Sequence, residues 1–186
     1  YAIFVGRITR QKGLAHLLRA WKDVPAEYGL VLAAGSPDEE GIGNEVAALI
    51  ADLQRTRSNV WWIKEMLPHE QLTAMLTAAD LFICPSIYEP LGIVNLEAMA
   101  CETAVLGSRV GGIPEVVADK ETGELVDYNG EAGSFEKALT ESISRLMAQP
   151  QLLQQYGNAG RIRAQKLFGW DAVAALTVDL YRRVLA

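Results

Sequence analysis

Runs that are apolar throughout alternate with segments whose apolar residues recur at helical spacing, and no other feature of this 186-residue sequence restricts its fold so strongly. Residues 2–5 form the first such run, stopped by Gly6, and Leu14, Leu17, Leu18 and Trp21 then mark one face of a helix. The alternation repeats with residues 30–34, then Val46, Leu49, Ile50 and Leu53. Residues 60–63 follow, then Leu72, Met75, Leu76 and Ala79 on a helix entered through Pro68. Residues 81–84 lead to a helix over 92–100, residues 103–106 to a short helix opened by Pro114, and residues 124–126 make a last strand. Strands without a polar face need cover on both sides, which a parallel sheet between two layers of helices supplies.

The right-handed crossover rule turns this pattern into an α/β, doubly wound, Rossmann-like parallel sheet. Ligands of such sheets sit beyond the carboxyl ends of the strands, so the functional residues are expected in the loops that follow them. The final third is helical: Leu139, Ile143, Leu146 and Met147 share a face, Pro150 opens a second helix, and Val173, Leu176, Leu180 and Val184 lie on a third. With no repeat or linker, residues 1–186 read as one domain.

Composition removes several function classes. A formal net charge of −6 argues against a nucleic-acid surface, which carries a basic field. No apolar run approaches the roughly 20 residues of a membrane-spanning helix. Signal-peptide features are absent, although a chain that opens so abruptly in a strand leaves room for an upstream leader. Cys84 and Cys101 read as buried reduced thiols, and with only His16 and His69 they make no metal-ligand spacing. A cytoplasmic protein is expected.

Three loops carry candidate chemistry. The first is Gly6-Arg7-Ile8-Thr9-Arg10-Gln11-Lys12-Gly13, between the first strand and the first helix. It is neither the dinucleotide fingerprint nor a Walker loop. It places Arg7, Arg10 and Lys12 at the positive end of a helix dipole, which an anion such as phosphate would offset. A solvated basic loop is the alternative. The second, Tyr88-Glu89-Pro90-Leu91-Gly92-Ile93-Val94-Asn95-Leu96-Glu97, opens the fourth helix, whose free N–H groups face the crevice. Glu89 outside that helix and Glu97 about one and a half turns inside it suit two separate hydroxyl groups rather than one acid/base dyad; a helix cap and a surface ion pair are the plainer alternatives. In the third, Gly111-Gly112-Ile113-Pro114-Glu115, the glycines serve either the turn itself or close approach to a ligand, and Gly35 has the same two readings. Trp61 and Trp62 are expected to be core residues rather than a stacking platform.

Together, the Gly-Arg-x4-Lys-Gly first loop, the Glu-x7-Glu element from Glu89 to Glu97, and the Gly-Gly-Ile-Pro-Glu turn after them resemble the C-terminal domain of GT-B retaining glycosyltransferases. The resemblance covers essentially the whole chain and extends most to bacterial glycogen synthases of the actinobacterial type, a group that includes enzymes forming maltose 1-phosphate. It implies one half of a GT-B fold that binds a nucleotide-sugar donor. It further implies transfer of glucose, with ADP-glucose favoured, to an alpha-glucan or to glucose 1-phosphate. Arg7 and Lys12 match the pair that grips the donor diphosphate, and Glu89 the carboxylate facing the sugar. The N–H groups of Leu91 and Gly92 would reach the sugar, those of Ile93 and Val94 the distal phosphate, and Glu97 the ribose. The base would lie near Ile63 and Lys64. No metal or other cofactor is implied, because the two cations stand where a metal would otherwise act and no Asp-x-Asp element lies beside the loops. Leu91, where many relatives have Phe or Cys, and Glu102, where Gly is frequent, depart from the commoner pattern.

The resemblance also implies a partner: an N-terminal acceptor domain of the same full-length protein, absent from this chain. The isolated chain is therefore expected to bind nucleotide weakly and to transfer little sugar. Two rivals remain at this point, a non-catalytic nucleotide-sugar-binding module and a GT-B transferase using a UDP- or GDP-sugar.

Overall fold

The computed structural model describes residues 1–185. Six strands, β1 (Ala2–Ile8), β2 (Leu30–Pro37), β3 (Val60–Ile63), β4 (Leu81–Cys84), β5 (Ala104–Ser108) and β6 (Gly123–Val126), form one sheet in the order β3-β2-β1-β4-β5-β6. Every pairing between neighbours is parallel. This is the doubly wound Rossmann order, in which the direction of winding reverses between β1 and β4. The crossovers carry α1 (Leu14–Trp21), α2 (Glu40–Thr56), α3 (His69–Ala78), α4 (Ile93–Ala100) and α5 (Ile113–Val116). Helices α6 (Ala132–Met147), α7 (Pro150–Phe168) and α8 (Trp170–Leu185) complete the described chain.

Strand residues alternate between two cores because successive side chains leave a strand on opposite faces. Ala2, Phe4, Leu81, Ile83, Ala104 and Leu106 join α1, α2 and α6 around Trp21 and Phe135, all fully or nearly fully buried. Ile3, Phe82, Cys84 and Val105 pack on the other face with Leu76, Met99, Ile113 and Ala164. Burial on both faces is what the continuously apolar strands anticipate. Helix α8 differs: none of its residues is buried, and Leu176, Tyr181 and Val184 stand exposed.

Two boundaries differ from the expectation in a way that matters. Strand β1 does not stop at Gly6 but continues to Ile8, with a register shift between Gly6 and Ile8 against β2. It extends because β2 also runs on, to Pro37, and offers Ile8 a partner there. Arg7 is therefore a strand residue held at an irregularity, and the remaining loop is a single 3-10 turn over Arg10–Lys12, capped by the Thr9 side chain. The tryptophans also depart from expectation. Trp61 is half exposed and Trp62 lines a cleft, because β3 is the edge strand and its faces lack the double cover of the central strands.

Candidate functional site

Strands β1 and β4 pair only at Ala2–Leu81 and Ile3–Phe82. Beyond those two pairs they separate, and the loops leaving their carboxyl ends close the crevice floor. The Ile87 N–H donates to the Gln11 carbonyl at 2.8 Å, joining the two loops. Gly13 takes φ +67° and lies so close to Pro85 that a Cβ would fall 1.8 Å from its carbonyl oxygen. The chain can make this approach only without a side chain.

In that crevice Lys12 and Glu89 meet. Lys12 Nζ is 2.5 Å from Glu89 Oε2, and Glu89 is only 7% exposed. Ser86 Oγ donates to the same carboxylate oxygen at 3.2 Å, and Ser108 Oγ in turn donates to the Ser86 carbonyl. Glu89 is thus a buried, doubly held carboxylate and not a helix cap: α4 begins at Ile93, behind Gly92, with no side-chain cap at all. The nearby Cys84 thiol is pushed up in pKa mainly by burial, with the negative charge of Glu89 adding to the effect against the opposing Ser86 hydrogen bond and Lys12 charge. It stays protonated at neutral pH and is no nucleophile.

The three cations of the first loop part ways. Lys12 turns to Glu89, while Arg10 leans outward to Glu39 and Glu45 on the α2 side at 3.9 and 3.7 Å. Arg7 is exposed and, among the described residues, has no carboxylate within ion-pair distance. Protein carboxylates therefore offset two of the charges, and only Arg7 faces solvent unpaired.

Across the crevice, Gly92 takes φ +86° and turns the chain into α4. The N–H groups of Gly92, Ile93 and Val94 precede the first intrahelical hydrogen bond, so they remain free at the positive end of the helix. Leu91 and Ile93 are exposed, Val94 and Glu97 half-buried. Among the described residues no cation pairs with Glu97, so the surface ion pair considered for it is not formed. Gly111 and Gly112 brace this segment from behind. The Gly112 N–H donates to the Glu89 carbonyl at 3.0 Å, and a Cβ on Gly111 would lie 1.9 Å from that same oxygen. Both glycines thus serve the turn that holds the Glu89 segment.

A second concavity lies beside the first, past the ends of β1, β2 and β3. It is an open cleft of about 320 Å³ lined by Ile8, Gly35, Ser36, Glu40, Trp62 and Lys64 among others. Lys64 Nζ sits 4.3 Å above the Trp62 ring, and the indole N–H donates to the Ala34 carbonyl at 2.9 Å. The indole N–H ties the ring to β2, and the exposed Lys64 ammonium lies over one face of it. Gly35 faces the cleft with no close neighbour that excludes a side chain. Trp62, expected in the core rather than as a stacking platform, is half-buried, packing partly on the first core and lining the cleft beside Lys64, whereas Ile63 packs on the second core.

Over residues 1–163 the sequence matches the family described as glycosyl transferases group 1. The chain belongs to that family. Its fold is that of the C-terminal GT-B half: it superimposes with TM-score 0.77 on the C-terminal domain of a group 1 glycosyl transferase from Francisella tularensis, covering 91% of this chain and 87% of that one at 20% identity. A sucrose-phosphate synthase from Thermosynechococcus elongatus matches with TM-score 0.82 and 35% identity over 99% of this chain and 45% of its own. The chain is also 50% identical to the alpha-maltose-1-phosphate synthase of Mycobacterium tuberculosis (strain ATCC 25618 / H37Rv) over 186 residues, all of this chain and 48% of that protein. The chain thus spans about half the length of the curated relatives it matches. Among the described residues of this group 1 domain, no three His, Cys, Asp or Glu side chains cluster as metal ligands, and no helix is long and apolar enough to cross a membrane.

Proposed function

We propose that this chain is the donor-binding domain, residues 1–186, of a retaining hexosyltransferase that takes glucose from a nucleotide sugar, with ADP-glucose favoured. The acceptor on this reading is an alpha-glucan or glucose 1-phosphate, held by an N-terminal domain of the full-length protein. The observation that carries the reading is the Lys12–Glu89 pair facing the free N–H groups of α4 across the β1/β4 switch point. The 50% identity to an alpha-maltose-1-phosphate synthase supports the choice of donor and acceptor.

The chemistry follows from charge. The departing nucleoside diphosphate develops negative charge, and the fixed positive potential of Arg7, Lys12 and the start of α4 stabilises it without a metal. Lys12 and Glu89 neutralise each other. A diphosphate drawing Lys12 toward itself frees one Glu89 oxygen to accept from a sugar hydroxyl, so each partner exchanges one charge-assisted contact for another. Ile93 and Val94 offer backbone N–H groups to the distal phosphate, Leu91 and Gly92 to the sugar. Glu97, without a cation, is available for the ribose hydroxyls. The base lies in the cleft by Ile63 and Lys64, over the Trp62 ring.

Two substitutions separate these roles. Arg7→Ala is expected to weaken ADP about tenfold or more, the loss of one charge-assisted hydrogen bond, while adenosine binding is unchanged. Lys64→Ala is expected to weaken ADP and adenosine alike, by roughly twofold to fivefold. Calorimetric titration of both ligands reads the contrast; equal losses on both ligands in the Arg7 variant would remove Arg7 from the phosphate site. Tighter binding of UDP or GDP than of ADP to the unaltered chain would overturn the donor assignment, and a chelator is expected to leave the affinities as they are. Quenching of tryptophan fluorescence by ADP should disappear in Trp62→Phe; persistence of the full quench would place the base elsewhere.

A further inference from the structure

Asn95 stands at the third position of α4, on the first turn behind Gly92. It is 0% exposed, and neither its carbonyl oxygen nor its amide nitrogen has a hydrogen-bond partner. Leaving a buried amide unpaired at both ends is destabilising, and native proteins rarely keep such a group without a use for it. The surroundings indicate the use. A Cβ on Gly92 would fall 2.3 Å from Asn95 Nδ2 and 3.4 Å from Glu89 Cγ, so the carboxamide is wedged beneath the Gly92 turn, beside the Glu89 side chain. A polar residue at the third helical position is placed to reach back to the backbone N–H at the cap. Here it lies within reach of the turn but is not bonded to it. Gly92, at φ +86° and without a side chain, is the residue of that turn best able to reorient.

We propose that Asn95 is a positioning residue for the donor site: its amide N–H group, the end nearest Gly92, donates to the carbonyls of the Leu91–Gly92 turn when that turn is set around a bound sugar nucleotide, leaving the Leu91 and Gly92 N–H groups to the sugar. The inference rests on the donor-binding reading above and adds a residue that acts through the backbone, not through the ligand. Unpartnered at both ends, the buried amide destabilises the fold. On binding, the turn's carbonyls supply the acceptors that the Asn95 N–H group lacks, and that gain adds to the affinity for ligands that engage Leu91 and Gly92. The sugar engages them; the diphosphate bonds one residue further along, at Ile93 and Val94. Asn95 therefore acts on the sugar nucleotide more than on the nucleotide alone.

Asn95→Leu, close in size and without polar atoms, tests this on the 186-residue chain. Two measurements are made, the melting temperature and calorimetric affinities for ADP-glucose and ADP. The expected result is a melting temperature raised by roughly 2–5 °C, with ADP-glucose weakened about tenfold and ADP changed by less than about threefold. A merely structural asparagine would give the opposite sign of thermal shift. A lowered melting temperature with both affinities unchanged overturns the proposal, as does a raised one with ADP-glucose binding intact. Should the leucine not be accommodated, Asn95→Ala reads the same split between ADP-glucose and ADP, and equal effects on the two ligands overturn it. If the unaltered chain binds neither ligand at millimolar concentration, the donor-binding reading itself fails, whereas normal binding by the chain with no split in the variants defeats the Asn95 inference alone.

Discussion

Lys12→Ala is expected to destabilise the protein by about 3 kcal/mol and to weaken ADP-glucose by at least tenfold, the larger of these effects arising from the carboxylate it leaves behind. Glu89 is 7% exposed and its partners are Lys12 at 2.5 Å and the Ser86 hydroxyl at 3.2 Å. Removing one member of a buried pair costs about 3–5 kcal/mol because the other charge remains in a low-dielectric site. The lower end applies because the Lys12 side chain is 21% exposed and part of the pair is already screened by solvent. For a domain of this size the change corresponds to a fall in melting temperature of roughly 6–12 °C. The converse change is milder: in Glu89→Gln the amide still accepts from Ser86, and Lys12, the more exposed partner, turns to water. Combining the two substitutions should therefore recover most of the stability lost in Lys12→Ala, since no buried charge remains, while ligand affinity stays low. Urea denaturation of both single variants and the double variant measures the coupling. Additive losses would mean that the pair contributes little and that Glu89 is held by something other than Lys12.

That pair also marks where sequence reasoning stops. Lys12 and Glu89 were each legible as binding groups from their own loops, but their contact spans 77 positions and exists only because β1 and β4 are neighbours at the switch point. The strands were legible because most are runs of apolar residues, a local property, although β6 carries Glu124. Strand order is not local, and the errors follow from it. Trp61 and Trp62 looked like core residues since they belong to an apolar run; the edge position of β3 leaves Trp61 at the surface and Trp62 between the core and a cleft. Gly6 looked like a stop, but a long β2 alongside carries β1 two residues further, so Arg7 sits on a strand. Asn95 drew no assignment of its own from the sequence. Its sequence signal, an amide at the third position of an otherwise apolar helix start, gains meaning only when burial and the absence of a partner are known.

Gly111→Ala should be the other severe change, and a second glycine makes it interpretable. At Gly111 two costs combine. Its φ of +52° is one that a residue with a side chain adopts at a cost of about 1–2 kcal/mol. In addition, the new Cβ would lie 1.9 Å from the Glu89 carbonyl oxygen and 2.9 Å from its carbonyl carbon. Those atoms are backbone and cannot rotate away, so the Glu89 segment must move, at a further cost of about 1–3 kcal/mol. Gly130 takes φ +91° with nothing within 4 Å of its Cβ position, so Gly130→Ala carries the backbone strain alone. The difference between the two variants in urea denaturation isolates the clash, expected at about 1–3 kcal/mol. The same displacement has a chemical consequence. Shifting the Glu89 backbone draws its carboxylate off Lys12 and Ser86 and breaks the Gly112 N–H bond to the Glu89 carbonyl. ADP-glucose affinity should therefore collapse in Gly111→Ala and persist in Gly130→Ala. Equal stability and equal affinity in the two variants would mean that the loop yields without strain, and that the Gly111-Gly112 turn does not hold Glu89 in place. If the two differ as expected, the Gly111-Gly112 turn sets the position of the carboxylate through its backbone, which is why two glycines stand there side by side.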